Sequence, residues 1–231
     1  MQKIDIAKLN TIRELKISTS TLVDIMDGFK TGSTLSYKLT SFNCRDYYMA
    51  AQAYTVQWKI VRKGSSILAP SESTWEQVRD FLVPELYDAT DLVYVAGSGE
   101  CIRDAALAGG MSCTYFEKLG FEGVILGGAV RDGHDLNALS IPVIATNLTP
   151  TDTQGAYYIS ETGGSCQIEQ TTVHTGDLVV ADINGVVIVP YDLIELVLDK
   201  ALEITNVENE MLNRIQHGER LPDLISQTGR I

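Results

Sequence analysis

The spacing of apolar positions changes along the chain, and each change marks an element. Ile4, Leu9, Ile12 and Leu15 form a helical stripe, and the following STSTLVDIMDGF supplies Ser/Thr caps for a second short helix ending at Gly28. Residues 47–62, YYMAAQAYTVQWKIVR, are rich in aromatic and β-branched side chains and predict a strand. SESTWEQVRDFLVPEL carries Ser73 with Glu76 three residues on, a capping-box pattern that predicts a helix. The rhythm then becomes strand, helix, strand. DLVYVAGS (91–98) reads as a strand entering a glycine turn, and GGMSCTYFEKLG (109–120) as a glycine-led helix closed by Gly120. EGVILGGAVRD is the next strand with its loop, and IPVIATN (141–147) a third strand. Short links between such strands imply parallel pairing. DLVVADINGVVIVP (177–190) predicts two strands around Asn184-Gly185, a type I′ hairpin signal. From Tyr191 to His217 the positions Ile194, Leu198, Ala201, Ile204, Met211 and Ile215 keep helical spacing, and Gly218 is placed to end that helix. The sum is an α/β fold with mixed sheets, one domain over residues 1–231, and a peripheral C-terminal helix that offers a docking face.

Composition narrows the class. Of the 231 residues 45% are hydrophobic and 21% charged, which is ordinary for a globular chain with a sizeable core. No apolar run approaches the ~18 residues of a membrane span. The opening MQKIDIAKLNTIRELKIST lacks a signal-type apolar stretch, so a cytoplasmic protein with no membrane partner is expected. Cys44, Cys101, Cys113 and Cys166 are too scattered for a metal-ligand pair or a disulfide framework, and read as reduced structural thiols. A net charge of −12 disfavours nucleic acid, which needs clustered Lys and Arg. It leaves room for a small anion, which responds to the local field.

Two places could hold such an anion. Gly109 and Gly110 open a helix, and a helix N-terminus presents unpaired N–H groups and partial positive charge. The residues around them, Met111 and Ser112, belong to the same turn. No Lys-Ser/Thr follows, so this is not a Walker loop, and it is not a dinucleotide GxGxxG. The second place is Arg131-Asp132, directly after Gly127-Gly128 at the carboxyl end of a strand, where ligands of open α/β sheets commonly sit. Arg131 offers a planar fork for a carboxylate, and Asp132 an oxygen for a hard cation. The alternative for the pair is a surface ion pair of little value. Glu100, Asp104 and Glu117 flank the glycine turns, and His134 follows the Arg-Asp pair. Glu100, Asp104 and His134 are the candidates for acid–base work.

The run G-x-x-G-x-x-x-G-G-A-V-R-D from Gly120 to Asp132, the following NALSIPV, and the GD..VAD.NGV...P ending at Pro190 resemble the RraA-like family over about residues 91–190. Residues 1–90 match weakly, and 191–231 form the C-terminal helix and tail. This family contains class II pyruvate aldolases acting on 4-hydroxy-4-methyl-2-oxoglutarate and 4-carboxy-4-hydroxy-2-oxoadipate, and the regulator of ribonuclease activity A. The resemblance implies a swivelling β/β/α-type domain, assembly as a homotrimer or a hexamer, and sites between subunits. It makes Arg131 the substrate arginine and Asp132 the ligand of Mg²⁺ or Mn²⁺. It sets the backbone of Gly109, Gly110, Met111 and Ser112 against a 2-oxo acid.

One position departs from the family. Twenty residues intervene between an acid and Arg-Asp in the aldolases, and here that acid is Gly110. Three readings follow: Glu100, Asp104 or a neighbouring subunit supplies the acid; the reaction needs less proton transfer, as a decarboxylation would; or the metal-dependent activity is gone. The expected function is a divalent-metal-dependent lyase passing through a pyruvate enolate. The alternatives are a non-catalytic binding or regulatory protein, or a divergent enzyme on the same scaffold. Cys113 and Tyr115 stand where the family often has small aliphatic residues, so either the pocket is reshaped or both pack on the helix's inner face.

Overall fold

The computed structural model describes residues 3–31, 33–61 and 72–228. Its strands are β1 (Ser33–Thr34), β2 (Thr40–Ser41), β3 (Met49–Ile60), β4 (Leu92–Gly97), β5 (Ile102–Ala108), β6 (Val124–Leu126) and β7 (Gly128–Val130). There follow β8 (Val143–Ala145), β9 (Tyr157–Thr162), β10 (Ser165–Ile168), β11 (Thr171–His174), β12 (Leu178–Asp182) and β13 (Gly185–Val189). The helices are α1 (Ile6–Leu15), α2 (Thr19–Phe29), α3 (Trp75–Val78), α4 (Gly110–Leu119), α5 (Gly133–Leu136), α6 (Ile194–Gln216) and α7 (Leu221–Thr228).

The strands β3, β4, β6 and β8 lie side by side and parallel, as the strand–helix–strand rhythm predicted. β12 joins β3 antiparallel, β13 and β1 extend that side, β2 closes the other edge, and β9 pairs with the second half of β3. The result is the curled mixed sheet with peripheral C-terminal helices expected of a swivelling β/β/α domain.

The period of two along each strand builds the layers. In β3, Ala50, Val56 and Trp58 face one way and Met49, Ala51 and Ala53 the other. On the first face α1, α2 and α6 cover Ala50, Leu178 and Val180, while α4 lays Cys113 and Phe116 against Tyr94 and Val124. On the second face the β10–β11 hairpin sets Cys166, Ile168 and Val173 over Val93, Val95 and Ile125.

Several local expectations shift. The helix expected after Ser73 begins one residue later: Thr74 is its N-cap, the Gln77 side chain accepts from the Thr74 N–H at 2.9 Å, and Ser73 instead accepts from the Gly155 N–H at 2.7 Å. It is only four residues long, passes into a 3-10 turn over Arg79–Leu82, and stops at Val83, whose φ of 50° is left-handed, just before Pro84. The end of the 47–62 strand and the start of the SEST segment lie outside the described residues. The hairpin turn centres on Ile183-Asn184, because Asp182 pairs with Gly185. Neither turn residue has positive φ, so the turn is not type I′; the Asp182 carboxylate accepts from the Asn184 N–H at 2.8 Å and shapes it. The spacing of apolar residues gives no sign of β1, β2, β5, β9, β10, β11, α5 or α7. β5 is alanine-rich with charges inside it, and it forms only because β7 pairs with it outside the main sheet.

The four cysteines are free. Burial pushes the Cys113 and Cys166 thiols up to about 12, so both stay protonated at ordinary pH. Iodoacetamide at pH 8 should therefore label Cys44 and Cys101, which are half-buried, well before Cys113 and Cys166. Peptide mapping of the native protein checks this; labelling at all four alike would contradict the packing.

Candidate functional site

The chain leaves β7 at Val130 and turns at once into α5. The Arg131 N–H donates to the Ala108 carbonyl at 3.1 Å, tying the turn to the end of β5. Asp132 takes φ 61° and ψ 43°, a left-handed conformation that Asp tolerates better than most residues. That turn brings both side chains against the start of α4. The Asp132 carboxylate accepts from the Gly110 N–H at 3.0 Å, so it caps the helix from outside. Gly109 must be glycine for this approach: a Cβ there would lie 2.5 Å from Asp132 Oδ2 and 2.7 Å from Arg131 Cγ. The adjacent opposite charges thus serve different partners, the carboxylate a helix end and the guanidinium a cavity.

Arg131 is not locked in place. Its Nε lies 3.6 Å from Asp132 Oδ2 and its Nη1 3.4 Å from Asp152 Oδ2. Both exceed the ~2.7–2.9 Å of a charge-assisted hydrogen bond, so the fork can turn to an incoming carboxylate. The Ser112 hydroxyl folds back on Gly109, accepting from its N–H at 2.9 Å and donating to its carbonyl at 3.0 Å. The N–H groups of Met111 and Ser112 lie in the first turn of α4, where an α-helix provides no internal acceptor.

These groups line a cavity of 620 Å³ with Gly109, Met111, Ser112, Arg131, Asp132 and Asp152 along one side. Trp75, Phe81, Leu82 and Tyr115 form an apolar wall. A larger cavity of 1020 Å³ lies between α2 and the β13 edge, but its Lys38 and Glu169 are already paired at 3.1 Å and it contains none of the candidate residues. The smaller cavity is therefore the chemically equipped one.

Glu100 and Asp104 line a different, open cavity of 560 Å³ with Arg103 and Glu169. Asp104 accepts from the Tyr157 hydroxyl at 3.0 Å. His134 is exposed on α5 and is not among the residues lining the 620 Å³ cavity. Gly110 faces α5: a Cβ there would lie 2.6 Å from Asp135 Cβ and 2.9 Å from Asp135 Oδ2. The Asp135 carboxylate thus stands where an acidic side chain at 110 would have to begin. Asp152 escaped sequence reasoning, although its loop follows the parallel strand β8 at the carboxyl end, where ligands collect. The apolar wall escaped too, since Trp75, Phe81 and Leu82 come from the weakly matching N-terminal part. Of the two unusual α4 residues, Cys113 is buried in the core and Tyr115 lines the cavity.

Among the described residues, no group of three or more His, Cys, Asp or Glu side chains is arranged to hold a metal ion. Asp132 is the carboxylate at the expected ligand position, and its Oδ2 already faces the Gly110 N–H and the Arg131 guanidinium. Mg²⁺ or Mn²⁺, which takes one or two carboxylates and fills the rest of its shell with water, would be held by Asp132, with Asp152 the second carboxylate lining the cavity. What the arrangement can also do is hold a carboxylate between a guanidinium and two helix-end amides.

Comparison with known proteins agrees with this architecture. An uncharacterized protein of Methanocaldococcus jannaschii is 30% identical over 128 residues, 55% of this chain and 61% of that protein, so the chain spans less than two thirds of its length. A Halalkalibacterium halodurans protein named as a candidate 4-hydroxy-4-methyl-2-oxoglutarate aldolase is 27% identical over 152 residues, 62% of this chain and 69% of the other. The crystal structure of an uncharacterized protein from Pseudomonas syringae pv. tomato superposes with a TM-score of 0.77 at 19% identity, covering 97% of this chain and 99% of that one, a likeness of fold. Among the described residues no helix is long and apolar enough to cross a membrane. The family model described as RraA-like, Aldolase/RraA, matches residues 19–188, well over half of the 231, and the chain therefore belongs to the RraA-like family.

Proposed function

We propose that this protein is a divergent RraA-like member that binds a 2-oxo acid through Arg131 and the first-turn amides of α4, without the metal-dependent lyase chemistry of the family's aldolases. One observation carries the reading: a guanidinium free to turn and a helix N-terminus open onto one cavity, while an acid at position 110 is sterically barred by Asp135. The ligand carboxylate displaces the long contact to Asp152 and takes the arginine fork; the Met111 and Ser112 N–H groups meet its other oxygen or the 2-oxo group. Asp132 holds the helix end and the arginine in register.

Calorimetric titration with pyruvate and oxaloacetate tests this, in Mg²⁺ and in chelator. Binding should persist in chelator and weaken at least about tenfold in Arg131→Met, the loss of a charge-assisted contact. Binding that needs Mg²⁺, or that survives Arg131→Met unchanged, would reject the proposal. Asp152→Asn should tighten the acid about 1.4- to fivefold, because it removes a competitor whose exposed ion pair is worth ~0.2–1 kcal/mol; the same titration reads it.

The metal-dependent lyase keeps one observation on its side: Asp132 and Asp152 both line the cavity beside Arg131. Metal-dependent release of pyruvate from 4-hydroxy-2-oxo acids or oxaloacetate, abolished by chelator and by Asp132→Asn, would favour it. Asn is the variant of choice, since it tolerates the left-handed backbone at 132. Assembly as a trimer or hexamer remains part of the proposal, and sedimentation analysis reads it directly.

A further inference from the structure

We infer that the ligand is a 2-oxo acid with one carboxylate and a bulky aromatic tail, an inference that rests on the carboxylate-binding reading above. The cavity of 620 Å³ falls within the ~300–1,000 Å³ of small-molecule sites, and a three-carbon acid held at Arg131 leaves most of it unfilled. The charged groups sit together, with Arg131 within 3.6 Å of both Asp132 and Asp152. Trp75, Phe81, Leu82, Met111 and Tyr115 give the rest of the space a mostly apolar wall, with Thr153 and Gln154 beside Asp152.

That wall is braced from behind. Phe81 meets the buried Phe116 edge to face at 6.5 Å, Tyr115 lies 6.0 Å from Phe116, and Phe116 stacks on Tyr94 at 4.2 Å. A tail entering here pays little for ordering its walls. It also packs against apolar surface that the single chain leaves exposed, Trp75 at 50% and Met111 at 88%. Among the described residues lining the cavity, Arg131 is the sole cation. A second carboxylate on the ligand would find no second cation among these residues and would face Asp132 or Asp152. The site therefore selects against dicarboxylic 2-oxo acids and for an aryl tail.

Isothermal titration of pyruvate, 2-oxoglutarate and phenylpyruvate tests this, with Trp fluorescence as a second reading because Trp75 lines the cavity and Trp58 is buried. Phenylpyruvate should bind roughly tenfold or more tightly than either other acid. Tyr115→Ala should shrink that ratio at least about threefold, and Tyr115→Phe should keep it. Equal affinities, tighter binding of 2-oxoglutarate, or a ratio untouched by both Tyr115→Ala and Trp75→Ala would overturn the inference while the carboxylate reading stands. If Arg131→Met weakens none of the three acids, or none of them binds, the carboxylate reading falls and takes this inference with it.

Discussion

Replacing Gly110 by aspartate will destabilise the protein by about 2–3 kcal/mol and will not create the family's acidic site. The new Cβ would stand 2.6 Å from Asp135 Cβ, an atom attached to the α5 backbone and not the free end of a side chain. Either α5 shifts or the start of α4 does, and each holds one half of the Arg131–Asp132 turn. The added carboxylate would also face Asp135 and Asp132, whose charges repel it. Urea unfolding measures the loss. Asp135→Gly removes the obstructing Cβ, so the double variant should recover at least half of it, a non-additivity expected of residues in contact. A Gly110→Asp protein as stable as the parent, or one that gains metal-dependent pyruvate release, would show that the space beside α5 is not closed.

Phe116→Ala should cost about 3–5 kcal/mol, the largest single effect expected here. Phe116 is fully buried, stacks on Tyr94 at 4.2 Å, and meets Phe121 and Phe81 edge to face at 5.8 and 6.5 Å. With Cys113 it seats α4 on β4, and it braces Phe81 and Tyr115 in the cavity wall. The variant should therefore lose ligand affinity as well as stability, although Phe116 is not among the residues lining the cavity. Thermal unfolding and acid titration at a temperature where the variant is still folded read the two effects separately. A drop under about 1 kcal/mol would mean that this aromatic cluster does not anchor the helix.

The legible parts of the chain were those with one dominant period. β4, β6 and β8 are apolar on both faces because they are central and parallel, and LVYVAG and VIL announce this directly. α6 kept its stripe over six turns, and Gly218, with φ 92°, ends it as the spacing predicted. β9 to β11 carry Ser, Thr, Gln and Glu in short runs without a clear period; β9 takes its strand character from the distant β3, and β10 and β11 take theirs from each other. Asn184-Gly185 looked like a turn centre, yet the Asp182 carboxylate drew the turn one residue earlier.

The same division holds at the site. Arg131-Asp132 and the glycine-led helix could be found in the sequence because glycines before a helix and charges after an apolar strand are local patterns. By itself the sequence determined the α/β rhythm, the family, the Arg-Asp pair and the absence of an acid at position 110. Only the tertiary structure decided that Asp132 caps α4, that Asp152 competes for Arg131, that Asp135 fills the place beside Gly110, and that Trp75, Phe81 and Tyr115 wall one cavity. The reason is physical: periodicity records which side of an element meets apolar neighbours, whereas a cavity is made by side chains from separate elements. Trp75, Tyr115 and Asp152 are brought together by the packing of α3, α4 and the loop after β8, and no spacing along the chain encodes that meeting.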